Sequence, residues 1–171
     1  MSTLMSYFQI TSLYSAKIVT PMVEALCIAV NNKIQANQCH DLENSSEALL
    51  AKLITLDHQP LYICSYYRPP DTAVDYLSSL RNQLEILFSR HHAKSPLIIM
   101  SGDFNISQIN WVNNTAFTEN GSSLLTIFDD FHLQQLVDDP TRYSHTSSNI
   151  LDIVAISHPA LISNLRRKRI L

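Results

Sequence analysis

Glycine is almost missing from this chain, with two residues in 171. Gly102, one of the two, is therefore expected to serve close backbone approach or an unusual dihedral rather than to fill a loop. Charge is also scarce, at 16% of residues with a formal net charge of -3. That excludes a protein that clings to nucleic acid over its whole surface, so any phosphate-binding face must be local. The three cysteines, Cys27, Cys39 and Cys64, show no CxxC spacing. They offer neither a zinc signature nor an even disulfide set, and a reducing intracellular compartment is the simpler expectation. No apolar run approaches the roughly 18 residues needed to span a bilayer. No basic segment leads into a long apolar one near the N-terminus, so a soluble chain with no membrane partner is expected. What the chain has in plenty is apolar residues, 46% of the total. That is enough for a packed core in one domain, or most of one.

Apolar patterning divides the chain into short elements. The first 21 residues are weakly patterned, with Met5, Tyr7, Phe8 and Ile10 as the apolar positions. Ala25-Leu26-Cys27-Ile28-Ala29-Val30 reads as a strand stopped by Asn31-Asn32, and 35–46 as a polar loop. Residues 49–56 and 61–67 read as a hairpin joined by Asp57-His58-Gln59-Pro60, with Pro69-Pro70 ending the second strand. From Asp71 the period changes: Val74, Leu77, Leu80, Leu84, Leu87 and Phe88 predict a helix to about Arg90, capped by Asp71 or Thr72. The His91-His92 pair then falls in a solvated exit loop. A second helix is expected behind Ser122 as its cap, with Leu124, Leu125, Ile127, Phe128 and Phe131 as the apolar stripe. Residues 133–137 read as a short strand, 138–142 as a turn and 149–157 as the last strand. The last strand carries Asp152 in an otherwise apolar run, and the sequence closes on Arg166-Arg167-Lys168-Arg169. Hairpins in one place and a crossover helix in another predict packed sheets with helices outside.

The chain is organised around Leu97-Ile98-Ile99-Met100-Ser101-Gly102-Asp103-Phe104-Asn105. Four apolar residues make a buried strand, and small Ser101 and Gly102 narrow it. If extended geometry persists, Asp103 and Asn105 share one side of the strand end while Phe104 enters the core. Two readings fit: a strand followed by an ordinary polar turn, or a rigid Asp/Asn pair at the end of a sheet, where α/β folds place their chemistry. Asp152 adds weight to the second, because a carboxylate in an apolar strand is costly without a partner.

Three motifs in order, Ser65-Tyr66-Tyr67-Arg68-Pro69-Pro70, Ser101-Gly102-Asp103-Phe104-Asn105 and Asn149-Ile150-Leu151-Asp152-Ile153-Val154, give the chain a likeness. It resembles the endonuclease/exonuclease/phosphatase superfamily, and within it the endonuclease domains of non-LTR (LINE-type) retrotransposon polyproteins. Trp111 after the second motif and Pro140-Thr141-Arg142 before the third fit that branch. The resemblance covers about residues 24–165, leaving 1–23 unassigned and 166–171 as a basic tail. It implies an α/β (α+β) fold: a DNase I-like two-sheet β-sandwich flanked by helices, here incomplete. It implies phosphodiester hydrolysis with magnesium or manganese on the DNA backbone, alongside the reverse transcriptase of a parent polyprotein, in an intracellular and even nuclear setting.

Residue by residue, the resemblance gives Asp103 the role of positioning or deprotonating the attacking water. Asn105 would hold the phosphate and that water, and Tyr67 would contact the scissile phosphate. Asp152 would orient a histidine. In-line attack needs a deprotonated water and stabilisation of charge on the non-bridging oxygens, which suits an acid, an amide and a phenol. The chain departs from the family in two places. Residues 1–23 contain no glutamate, where the family has its principal metal ligand, and no role is carried over to Glu24. No Ser-Asp-His motif follows residue 152, and His158 comes too early to be the missing histidine. The expectation is therefore a fragment truncated at both ends and weakly active or inactive. The alternatives are a non-catalytic remnant binding nucleic acid through Arg166-Arg167-Lys168-Arg169, or a phosphatase of the same superfamily acting on a phosphoinositide or another small phosphodiester.

Overall fold

The computed structural model describes residues 16–18, 26–42, 47–55, 58–70, 75–92, 95–144 and 146–160. Met5, Tyr7, Phe8, Ile10, Glu24, Ala25, the cap at Asp71 or Thr72, Val74 and the run Arg166-Arg167-Lys168-Arg169 lie outside these residues. The described residues open with a two-stranded antiparallel pair, β1 (Ala16–Ile18) and β2 (Ala29–Asn31). β3 (Ala36–Gln38), a 3-10 turn (His40–Leu42), β4 (Ala48–Ile54) and β5 (Pro60–Tyr67) follow, and then α1 (Asp75–Ser89) leads to β6 (Leu97–Asp103). A small hairpin, β7 (Ile109–Asn110) and β8 (Thr115–Ala116), precedes α2 (Glu119–Asp130) and β9 (Gln134–Gln135). A second hairpin, β10 (Arg142–Tyr143) and β11 (Ser148–Asn149), delivers the chain to β12 (Asp152–Ile156).

Six strands form the main sheet in the order β3-β4-β5-β6-β12-β9. β5 and β6 run parallel, which requires a crossover, and α1 supplies it. The other neighbours in the sheet are antiparallel.

Alternation decides which residues face which layer. Tyr62, Cys64 and Tyr66 of β5, Ile98 and Met100 of β6, and Ile153 and Ala155 of β12 are buried in one cluster with both helices. Leu77, Leu80, Leu84 and Leu87 of α1 enter that cluster at spacings of three and four and are at most 1% exposed. Each contributes about 1.5–3 kcal/mol of burial. Leu49, Ala51 and Leu53 of β4 face the other way, into a smaller cluster with Leu26, Ile28 and Val30. The described part of the second layer is thus the β1–β2 pair and the chain leading into it. Phe88 meets Phe131 at 4.9 Å between ring centroids, and Arg81 is ion-paired with Asp130 across the two helices.

Several local expectations shift. The stretch 35–46 is not all loop: Ala36 and Gln38 pair with Leu53 and Ala51, so β3 lengthens the sheet. α2 starts one turn before Ser122, and its cap is Thr118, whose Oγ1 accepts from the Gly121 N–H at 3.2 Å. The opening turn is polar, so apolar periodicity shows the helix only from Leu124. His91 is half-buried rather than solvated: its Nε2 lies 3.1 Å from the Tyr62 hydroxyl, with the rings edge to face. The final expected strand divides, Asn149 closing the β10–β11 hairpin and Asp152 opening β12.

All three cysteines are free thiols. Cys27 is exposed, whereas burial pushes the Cys64 thiol up to about 12, and burial with the nearby Asp41 also raises Cys39. The thiolate is the reactive form. Iodoacetamide at pH 8 is therefore expected to label Cys27 rapidly and the other two only after denaturation, as peptide mass mapping would show. Fast native labelling of Cys64 would contradict this packing.

Candidate active site

The acidic centre is assembled by strand register. Tyr67, the last residue of β5, pairs with Asp103, the last of β6, and Asp103 pairs with Asp152, the first of β12. Residues opposite one another on neighbouring strands project from the same face. All three are half-buried, on the face turned away from the helices, while their neighbours Tyr66, Gly102 and Ile153 are buried beneath. A phenol and two carboxylates thus stand in one row across three strands.

Asn105 joins this row from a turn and not from a strand. Its φ is 50°, in the left-handed region, so extended geometry does not persist past Asp103 and the expected strand-side pairing of Asp103 with Asn105 is replaced. The turn is closed by the Asn105 N–H donating to Asp103 Oδ1 at 3.1 Å. Asn105 Nδ2 donates to the Arg68 carbonyl at 2.8 Å, tying the turn to the end of β5. Phe104 is fully buried, as the alternation implied, and its N–H donates to the Leu151 carbonyl at 2.9 Å.

Burial raises the Asp103 carboxyl above its ordinary value, and the facing Asp152 carboxylate raises it further. Hydrogen bonds from Asn105 and the charge of Arg142 oppose that rise. Asp152 Oδ1 is buried and accepts no hydrogen bond among the described residues. An acceptor left in that condition is expensive and suits a bound cation or water.

Sequence reasoning missed two supports of this row. Arg68 is 2% exposed, and its guanidinium donates to the Asn105 carbonyl at 3.2 Å. Thr141 Oγ1 accepts from both the Leu151 and the Asp152 N–H at 3.0 Å, fixing where β12 begins. The motifs around both residues were visible, but bonds reaching from 10 to 37 residues along the chain have no local pattern. Thr141→Val keeps the shape and strands two donors, so it is expected to cost about 1–3 kcal/mol in urea unfolding. An unchanged midpoint would show that the hydroxyl does not hold β12.

A groove of about 1100 Å³ opens elsewhere, between the β7–β8 hairpin, α2 and the segment around Asn149, with Trp111 and His132 in its wall. None of Tyr67, Asp103, Asn105 and Asp152 lines it. The acidic row belongs to the sheet face, not to this groove.

A mixed sheet with α1 and α2 on one face and polar side chains at its strand ends is the architecture of DNase I-like endonuclease folds. The endonuclease domain of TRAS1, a telomere-specific non-LTR retrotransposon, superposes with a TM-score of 0.65 at 18% identity, over 86% of this chain and 67% of that one. Weaker likenesses are a humanized TDP2 of D. rerio and an endonuclease/exonuclease/phosphatase family protein of Leptotrichia buccalis. The first has a TM-score of 0.47 and 11% identity, over 83% of this chain and 60% of that one. The second has a TM-score of 0.40 and 14% identity, over 64% and 40% respectively. No curated protein sequence matches. Residues 61–170 match the endonuclease-reverse transcriptase family, which is more than half of the 171 residues, and the chain belongs to that family.

Proposed function

We propose that the chain is a phosphodiesterase domain of retrotransposon type that nicks the DNA backbone with the help of a divalent cation. The observation that carries this reading is the in-register row Tyr67–Asp103–Asp152, with Asn105 turned onto its end. Among the described residues no three His, Cys, Asp or Glu side chains gather into a metal cage. Magnesium does not need one: it takes one or two carboxylates and leaves its remaining positions to water and substrate phosphate. The facing Asp103 and Asp152, one with an unpartnered buried oxygen, fit that requirement and would hold the ion. When bound, the ion neutralises charge on the scissile phosphate and lowers the cost of its transition state.

The remaining chemistry falls to the side chains. Tyr67 donates its hydroxyl to a non-bridging phosphate oxygen from the rigid end of β5. Asp103, with Oδ1 engaged by the Asn105 N–H, keeps its other oxygen to accept the proton of the attacking water. Asn105 combines a donor and an acceptor in one planar group, and its tie to the Arg68 carbonyl fixes where that plane lies. Among the described residues no histidine joins the row: His158 is hydrogen-bonded to Ser157 at the other end of β12. With no acid beside it, a leaving oxygen takes its proton from solvent, and the loss of a general acid typically slows such a step by about 10²–10⁴.

Conversion of supercoiled plasmid to nicked circles tests the proposal. The expected result is slow nicking with magnesium or manganese, none with EDTA, and none by Asp103→Ala. Equal product from that variant and the wild type at every cation concentration would refute it.

A further inference from the structure

Pro69 and Pro70 follow Arg68, the first residue past β5, and carry no backbone N–H, so the sheet ladder cannot continue past Arg68. The ends of β5 and β6 nevertheless stay tied. The Arg68 N–H donates to the Asp103 carbonyl at 2.9 Å, its carbonyl accepts from Asn105 Nδ2 at 2.8 Å, and its guanidinium donates to the Asn105 carbonyl at 3.2 Å. We infer that Arg68 is the positioning residue of this site, its buried guanidinium clamping the left-handed turn that aims Asp103 and Asn105. The inference rests on the phosphodiesterase reading for its consequence in catalysis, though the clamp itself does not.

Two observations converge on this role. Arg68 is 2% exposed, and a guanidinium is not buried without hydrogen bonds to replace those of water. Asn105 has a φ of 50°, in the left-handed region, which asparagine tolerates better than most residues but which still costs free energy that a fixed partner offsets. The first supplies what the second requires, because the guanidinium grips the carbonyl of the strained residue itself. Asn105 in turn donates to Asp103 Oδ1, so the clamp reaches the acid through one intermediate. Arg68 directs this donor at main chain, and it acts on the reaction through Asn105, not by touching substrate.

Hydrogen exchange tests the clamp without any need for catalysis. The Asn105 amide is read by NMR in the wild type, Arg68→Met and Arg68→Lys, with the Met100 and Ile153 amides as references for the sheet. Arg68→Met is expected to speed Asn105 exchange at least about tenfold while the reference amides change little. Arg68→Lys, which retains one cationic donor, is expected to fall between the two. In plasmid nicking, Arg68→Met should lower kcat and leave KM for DNA unchanged. Unaltered exchange at Asn105, or equal acceleration at Met100 and Ile153, would overturn the clamp. If Arg68→Met does not fold, Arg68→Lys alone decides: acceleration confined to Asn105 supports the clamp, and its absence overturns it. Failure of the wild type to nick DNA would remove the phosphodiesterase reading and leave the exchange result standing.

Discussion

Replacing Gly102 with alanine is expected to cost about 3 kcal/mol or more, enough to leave much of the chain unfolded. Gly102 lies opposite Tyr66 in the parallel β5–β6 ladder. A Cβ placed on it would sit 1.7 Å from the Tyr66 carbonyl oxygen and 2.6 Å from its carbon. Those are backbone atoms, and a strand cannot rotate out of the way as a side chain can. Relief would need β5 and β6 to separate where their last residues carry Tyr67 and Asp103, so folding and the site would be lost together. Gly121→Ala is the control. Its Cβ would meet the Ala116 side chain at 2.8 Å and Ile109 at 3.2 Å, at the start of α2. The hairpin beneath can shift, and alanine gains up to about 1 kcal/mol of helix propensity, so a change within about 1 kcal/mol either way is expected. Urea unfolding of the two variants beside the wild type reads the contrast. A Gly102→Ala protein as stable as the wild type would mean that β5 and β6 do not approach as closely as described.

This glycine marks how far the sequence could be read. Scarcity pointed to a close approach at Gly102, and the structure shows one, with no positive φ there. The hairpin of β4 and β5, the crossover helix α1 and the buried strand β6 were legible because period-two and period-3.6 patterns are local. Thr118 and β3 were not, since one caps a polar first turn and the other pairs through only three residues. The left-handed turn at Asn105 was beyond periodicity, because a side-chain pattern carries no sign of φ; only the tolerance of asparagine for that region hinted at it. Arg68 reads as a surface charge in any composition argument, and its burial follows from where β5 ends against β6. The juxtaposition of residues 67, 103 and 152 depends on two strand registers that no local signal encodes. Their motifs suggested that they meet, whereas the register shows how: side by side in one row.

Asp103→Asn should separate catalysis from stability in a way that a merely structural aspartate would not. The amide keeps an oxygen for the Asn105 N–H, so the turn at φ 50° has no reason to open. Nicking should fall by at least about 10²-fold, because the amide cannot accept the proton of water at neutral pH. Stability should move the other way. Burial and the Asp152 carboxylate both raise the Asp103 carboxyl above its ordinary value near 3.8. The folded chain therefore holds that proton more tightly than the unfolded chain does. Wild-type stability then declines as pH rises from the unfolded value through the raised folded one, and the penalty is complete once pH exceeds the folded value. The variant escapes it. With EDTA present to exclude cation binding, Asp103→Asn should melt above the wild type at pH 7, and the two should converge as pH drops below about 4. A neighbour change, Asp152→Asn, should recover part of the same gain by removing the facing charge. Such an opposition, activity lost while stability is gained, is what a site holding two carboxylates together for a ligand should display. A variant less stable than wild type at pH 7, with unchanged nicking, would instead make Asp103 an ordinary strand-end hydrogen-bond acceptor.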